Sequence, residues 1–172
     1  MSSSLLRDIT EEEGYRSAVF DSTLFQQPIA VSWNEAEVPL AYAERCAQAF
    51  NAFSPALLQQ LYQYSYDYCI DCCEWVGETP PAIEQPEDIL HYISPLSMQI
   101  PAFPAPYDAE TADTIVHLHM DCEWEFEHGM GWLIRGNDIL YVSSCDGLPE
   151  WKDTAYYRNL EGNVAYGNKL CN

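Results

Sequence analysis

Lysine and arginine are absent from a long central part of this chain. Neither residue type occurs between Arg45 and Arg135, whereas the same segment carries 14 aspartates and glutamates. Folded domains normally mix charges of both signs over their surface, and an unbalanced surface destabilises the compact state through self-repulsion. We therefore expect a positively charged partner to offset the repulsion in this protein.

The scarcity of positive charge excludes several classes of function. With a net charge of −20 and a sequence pI of about 4.1, the chain lacks the basic surface that binding to nucleic acids or anionic membranes requires. It also lacks a glycine-rich phosphate loop and the GxSxG motif of serine hydrolases. We predict no cofactor, no nucleic acid and no membrane as ligands, and a cationic protein as the partner.

Regular cysteine spacing and long apolar runs are missing as well. The seven cysteines are odd in number and unevenly spread, which is a poor disulfide framework and predicts a reducing, cytoplasmic location. Cys69 and Cys72 have the spacing of a redox or zinc pair. Because they fall in a strongly helical pattern, small buried thiols are the better interpretation. No apolar run approaches the roughly 18 residues that a membrane span needs.

The remaining composition predicts one folded domain of the α+β class. A hydrophobic content of 48% over 172 residues is enough to build a core despite the charge. Residues 1–16 are polar and are expected to form a flexible N-terminal lead, followed by a single domain over residues 17–172. Short strands are predicted at residues 18–20 and 29–33.

Two helical segments and a proline-rich stretch are expected next. Apolar residues recur at helical spacing in two successive segments, which predicts a helical hairpin with one apolar side. Ser54 is expected to cap the second helix and Gly77 to end it. Seven of the 11 prolines lie within residues 79–107. There we predict only a short helix at 86–92 and an edge strand at 96–100.

The clearest periodicity in the chain covers residues 115–128. Apolar and polar residues alternate there, which predicts a long strand with one buried and one polar face and a break near Trp124. Strands at 130–134 and 139–142 are expected to continue it as an antiparallel meander. The predicted architecture is a helical hairpin packed on a mainly antiparallel β-sheet.

One arrangement on the predicted strand resembles a metal site. His117, His119 and Asp121 alternate, so two imidazoles and a carboxylate would share one face. This set predicts a small metal-dependent enzyme as an alternative function. We nevertheless predict no metal, because His-x-His is common by chance and the histidines can moderate the repulsion between carboxylates.

Two segments also resemble a known family. Residues 122–131 resemble the C-x-W-D-x-E-H-G-L signature of an uncharacterised bacterial domain whose members often occur beside polymorphic-toxin genes. Residues 57–64 resemble a helix of the same family. The chain differs at Glu125, where the family tends to have Asp, and at Met130, where it has Leu. The resemblance implies an immunity protein and carries no established catalytic activity.

The leading hypothesis is therefore an immunity protein, not an enzyme, that binds and neutralises a basic toxin domain. An acidic mimic of nucleic acid is a further alternative, and it predicts acids in a regular stripe. For the immunity protein we expect contacts through acids and aromatic anchors on the sheet and its loops. These predicted contact residues are Asp113, Asp121, Glu123, Glu125, Glu127, Trp124 and Trp132.

Overall fold

A computed structural model of the chain describes residues 4–170. Within them, seven strands form one sheet whose order in space is the order in sequence. The strands are β1 (Arg7–Glu12), β2 (Tyr15–Ser22), β3 (Gln27–Asn34), β4 (Ile93–Ile100), β5 (Ile115–Cys122), β6 (Glu125–Arg135) and β7 (Asp138–Ser143). All neighbouring strands are antiparallel except β3 and β4. The predicted α+β class with a mainly antiparallel sheet is confirmed.

The second of the two long helices begins and ends where capping chemistry predicts. Helix α1 spans Leu40–Asn51 and helix α2 spans Pro55–Val76. The side chain of Ser54 accepts a hydrogen bond from the N–H of Leu57, and Gly77 adopts a left-handed conformation that stops α2. In the described part of the chain, neither these helices nor any other is both long and apolar enough to cross a bilayer.

The helices lie in the connection between β3 and β4, and this explains why that pair is parallel. Parallel neighbours need a long crossover, which residues 35–92 supply. Helix α1 contacts β2 and β5, whereas α2 contacts β7 and a 3₁₀ helix at Pro86–Tyr92, as predicted at 86–92. The main core lies between the two long helices and the face of the sheet that they cover. Its largest fully buried side chains include Phe20, Trp33, Tyr42, Phe50, Tyr68 and Trp132.

The opposite face of the sheet is partly covered by residues 148–160, which include the short helix α3 (Thr154–Arg158), whereas Val164 and Leu170 pack against the main core. Tyr157 of this segment is fully buried and packs in a second core with Ile115 and Tyr141. Both faces of β5, β6 and β7 are therefore shielded. A segment with little regular structure therefore covers a second core.

The N-terminal part contains a strand that the sequence does not predict. Only a flexible lead is expected over residues 1–16, whereas β1 lies there and pairs with β2. All six residues of β1 are exposed, so backbone hydrogen bonds hold the strand and no apolar periodicity reveals it. The prediction of a lead without regular structure is wrong. The flexibility of residues 1–16 stays a prediction. Residues 1–3 lie outside the described residues.

The long strand predicted at residues 115–128 is a hairpin. Strand β5 ends at Cys122, Glu123 and Trp124 form the turn, and β6 begins at Glu125, which pairs with Cys122. The apolar–polar alternation continues in the sequence through residues 122–126 and conceals the reversal. In the hairpin, Cys122 and Glu125 are paired and share one face of the sheet, so the turn reverses which residues of the pattern face the core. The prediction of one strand is wrong, and the predicted break near Trp124 is confirmed.

Strand β4 is central, whereas the sequence predicts an edge strand at residues 96–100. It is paired with β3 on one side and with β5 on the other. Pro95 lies at a register shift, and the parallel pairing with β3 starts only at Ser97, so the missing N–H of the proline interrupts no ladder with β3. The same shift leaves Leu96 52% exposed.

The cysteines of the described region are free thiols. Cys69 and Cys72 are buried in α2, as the sequence predicts. Burial raises the pKa of the Cys72 thiol to about 11, so the thiol is protonated at neutral pH. These residues serve packing, and Cys171 lies outside the described residues.

Candidate protein-binding site

The turn end of the β5–β6 hairpin exposes a large aromatic side chain. Phe126 follows the first residue of β6 and is 89% exposed. Trp75 and Val76, at the end of α2, are 65% and 58% exposed. All three line the same cleft. Contiguous exposed apolar side chains of this size mark interaction sites.

The cleft between α2 and the hairpin has a volume of about 650 Å³. Trp124 contributes to its wall from the hairpin turn, and Leu170 contributes from the C-terminal segment. This size falls within the roughly 300–1,000 Å³ typical of sites that enclose a ligand. Three carboxylates line the same cleft: Glu78, Glu125 and Glu127.

A second cleft of about 380 Å³ shares Glu125 and Phe126 with the first. Its lining also includes Asp121, Glu123 and His91. The hairpin therefore borders both clefts, and four of the predicted contact acids lie along them. We call the two clefts, with hairpin residues 121–127 and the exposed end of α2, the hairpin surface.

The negative charge of the hairpin surface is not neutralised by lysine or arginine within residues 4–170. Among basic side chains near this surface, Nδ1 of the His128 imidazole lies 3.5 Å from Oε2 of Glu125. Nζ of Lys169, next to cleft-lining Leu170, lies 3.3 Å from Oε2 of Glu74 in α2. Arg45 and Arg135, which bracket the cation-free segment, instead donate to backbone carbonyl oxygens of the loops beside them. The acids of the hairpin surface therefore remain available to an external cation.

Glu125 differs from its acidic neighbours because it supports the local backbone. Its carboxylate oxygens accept hydrogen bonds from the N–H groups of Glu127, at 3.0 Å, and His128, at 2.6 Å. These bonds fix the start of β6. Glu123 and Glu127 have exposed side chains, so they are the better candidates for direct contact with a partner.

The two predicted tryptophan anchors lie in different environments. Trp132 is fully buried, and its Nε1 donates to Oγ of Ser65 at 2.9 Å, so the prediction that it contacts a partner is wrong. Alternation in β6 does not separate core from surface here, because both faces of the sheet are covered. Trp124 is half-buried and lines the larger cleft, and its buried indole N–H has no acceptor in the described structure.

Asp113 does not belong to the hairpin surface. It precedes β5 and lies beside Gly136, at the end of the strand opposite the hairpin turn. Strand β5, which is eight residues long, lies between Asp113 and the hairpin turn. At about 3.3 Å per residue, this separation is roughly 25 Å. Asp113 therefore lies apart from the other predicted contact acids, and its contact with a partner stays a prediction.

The two candidate metal-binding histidines lie under the C-terminal segment. His117 is buried, and its Nδ1 lies 2.8 Å from Oε1 of Glu150. The ring of His119 packs edge-on against His117, with 4.7 Å between the ring centroids. Asp121 is exposed beside the smaller cleft. In the part of the chain that the structure describes, no three His, Cys, Asp or Glu side chains gather to hold a metal ion.

The environment of His119 predicts a pH effect on stability. Burial, with repulsion from His117, lowers the pKa of His119 to about 4. The unfolded value is near 6.5, so the unfolded chain binds more protons between these values, and stability falls as pH drops through this window. We expect His119→Gln to lose less stability than the wild type between pH 7 and pH 5, by on the order of 1 kcal/mol.

Urea unfolding at the two pH values measures this difference. His128→Gln is the matched control, because the side chain of His128 is 55% exposed, and this variant should follow the wild type. An unchanged pH dependence in His119→Gln would show that this imidazole does not resist protonation in the folded protein.

Comparisons with curated proteins and with solved structures find no match. One family model matches residues 5–149, a range that contains the whole sheet and both long helices and ends just before Glu150. Because this match covers most of the chain, the protein belongs to the family described as a domain of unknown function (DUF6985).

Proposed function

We propose that this protein is an immunity protein that binds a basic bacterial toxin domain through the hairpin surface and blocks it in the cytoplasm. The observation that supports this proposal is the combination of exposed aromatic side chains with carboxylates that no lysine or arginine neutralises. The resemblance of residues 122–131 to a family found beside polymorphic-toxin genes supplies the class of partner.

Charge explains how such a protein would find its target. A net charge of −20 attracts a cationic domain over long distances and raises the rate of encounter. Toxins that act on nucleic acids or nucleotides carry basic sites, and carboxylates can occupy the positions that phosphates normally take. In this proposal the helical hairpin and the antiparallel meander of β5, β6 and β7 form the rigid frame of the binding surface.

The alternatives fit the hairpin surface less well. An acidic mimic of nucleic acid requires regularly spaced charges, whereas these acids surround two clefts with exposed aromatic side chains. A metal-dependent enzyme requires converging ligands, and Asp121 lies apart from the buried pair of His117 and Glu150. A cationic protein accounts for both the acids and the aromatic residues.

The proposal expects a toxin domain encoded by a neighbouring gene, and co-expression with that domain tests it. We expect the wild-type protein to restore growth and to form a stoichiometric complex that elutes as one peak in size-exclusion chromatography. Absence of both the complex and the protection would contradict the proposal.

A second prediction concerns the rate of association with the toxin domain. We expect the double variant Glu123→Gln/Glu127→Gln to associate about three- to tenfold more slowly at low salt, with little change in dissociation, because charges at the edge of an interface act mainly on encounter. The difference should shrink above physiological salt, where screening acts over about 8 Å or less. Stopped-flow measurements over a salt series provide the rates.

A matched control removes the same charge from the opposite end of the sheet. Asp113→Asn/Asp138→Asn neutralises two exposed acids at that end, so its association rate should stay close to that of the wild type. Equal slowing by both double variants would attribute the effect to net charge and not to the hairpin surface.

A further inference from the structure

We infer that the larger cleft of the hairpin surface receives an apolar side chain that the partner carries next to arginine or lysine. This inference rests on the proposed function and adds the chemistry of the segment that is recognised. The aromatic side chains of the cleft bind the apolar side chain of the partner, and the surrounding acids favour a partner with positive charge next to that side chain.

The exposed walls of the cleft require an apolar occupant. Phe126 is 89% exposed and Trp75 is 65% exposed, and Val76 extends the same apolar wall. Phenylalanine and tryptophan each bury roughly 150–250 Å² when they are covered, which gives such residues a dominant part in interface energetics. A polar side chain in the cleft would not gain the binding energy that burying these aromatic side chains against an apolar group provides.

The carboxylates around the cleft determine the charge of the occupant. Glu78, Glu125 and Glu127 line it, and none of them has a lysine or arginine within ion-pair distance in residues 4–170. A second copy of this chain is disfavoured, because each copy carries a net charge of −20. A cationic segment of another protein meets both requirements of the cleft.

Trp124 adds a polar requirement to the cleft. Its indole N–H is buried and has no acceptor in the described structure, although the residue lines the cleft. A buried donor without an acceptor is energetically unfavourable. Because this N–H is inaccessible to solvent in the unbound protein, a backbone carbonyl of a segment seated in the cleft can accept from it only after the Trp124 ring turns toward the cleft.

Short peptides provide a direct test on the full-length protein. Three acetylated and amidated probes are compared: Arg-Leu-Phe-Arg, in which both chemistries are present, Arg-Ala-Ala-Arg, which lacks the apolar side chains, and Gln-Leu-Phe-Gln, which lacks the cations. The readout is the indole N–H signals in nitrogen-15 NMR spectra. Trp33 and Trp132, both buried in the core, serve as internal references.

We expect Arg-Leu-Phe-Arg to shift the signals of Trp75 and Trp124 saturably, with an affinity about tenfold or more above that of either matched peptide. Phe126→Ser should abolish most of this binding. Tyr15→Ser removes another exposed aromatic residue, 58% exposed and outside the cleft, and should bind as the wild type does. Equal affinity for the three peptides, or shifts that leave Trp75 and Trp124 unaffected, would overturn the inference.

The toxin complex separates failure of this inference from failure of the proposed function. If wild-type protein protects cells and Phe126→Ser protects them equally, with unchanged affinity for the toxin domain, the cleft is not the anchor although the immunity function stands. If the wild-type protein neither binds the toxin domain nor protects cells, the proposed function is contradicted. The peptide titration then still decides what the cleft binds.

Discussion

Replacing Gly129 with alanine is expected to lower the free energy of unfolding by about 3–5 kcal/mol, because two unfavourable effects coincide there. Gly129 has a φ of +61°, a left-handed conformation that disfavours side chains. A Cβ atom at this position would also overlap the backbone carbonyl oxygen of Met120 on the paired strand. Backbone atoms in a sheet cannot move aside as the end of a flexible side chain can.

Gly77→Ala separates the two effects at Gly129. Gly77 has a φ of +76°, but a Cβ atom there would meet nothing within 4 Å, so only the conformational cost of about 1–2 kcal/mol applies. Urea unfolding of both variants measures the difference. Equal losses in the two proteins would mean that the sheet relaxes around the new Cβ and that the close approach to Met120 has little energetic weight.

The expected consequence of Gly129→Ala extends to the hairpin surface. The hydroxyl of Tyr68 in α2 donates to the carbonyl oxygen of Gly129 at 3.2 Å, which joins the helix to the hairpin. Tyr68 and Trp124 also contact each other edge-on, with 6.2 Å between their ring centroids. Displacement of Gly129 therefore disturbs the cleft, so a folded fraction of this variant should bind the partner less tightly.

Asn163→Ala is expected to lower the free energy of unfolding by about 3–4 kcal/mol, because it removes a fully buried amide from four hydrogen bonds. Its Nδ2 donates to the carbonyl oxygens of Leu140 and Tyr157, both at 2.9 Å. Its Oδ1 accepts from the N–H groups of Val142, at 3.2 Å, and Ala165, at 3.3 Å. Truncation leaves these backbone groups buried without partners, and that penalty exceeds the net value of the bonds.

Asn159→Ala is the matched control for this prediction. Asn159 is exposed and its side chain donates one hydrogen bond, to the carbonyl oxygen of Ala155, so the loss should stay within about 0.5 kcal/mol. In hydrogen-exchange measurements on Asn163→Ala, the backbone amides of residues 144–170 should exchange faster than those of α1. A loss of less than about 1 kcal/mol would show that the segment is held mainly by apolar packing.

Local chemistry made part of the fold predictable. The N-cap at Ser54 and the stop at Gly77 depend on the residues themselves and their immediate neighbours, and both are confirmed. The turn between β6 and β7 and the short helix at Pro86–Tyr92 are predictable for the same reason. Each of these features depends on a residue's backbone preferences or on hydrogen bonds that span a few positions.

Features that depend on distant contacts were not predictable. Strand β1 is defined by backbone pairing with β2 and has no apolar pattern of its own. Packing of α2 on the sheet buries Trp132 and joins it to Ser65 across 67 positions. The cover formed by residues 148–160 brings Glu150 to His117 across 33 positions. No local rule relates residues at such separations.

The candidate site shows the same division. Composition and alternation alone identified the acids at 121, 123, 125 and 127, because the absence of cations and a period of two are visible in the chain. On one continuous strand the same alternation puts Trp124 on the opposite face, so it did not predict that Trp124 lies beside these acids. Only the tertiary structure joined them to Trp75 and Val76, about 50 residues away at the end of α2, and made a cleft. The sequence thus determined the charge of this surface, whereas the hairpin that presents the acids became visible only in the structure. Packing of α2 beside the hairpin decided its shape, because a cleft exists only where separate elements meet.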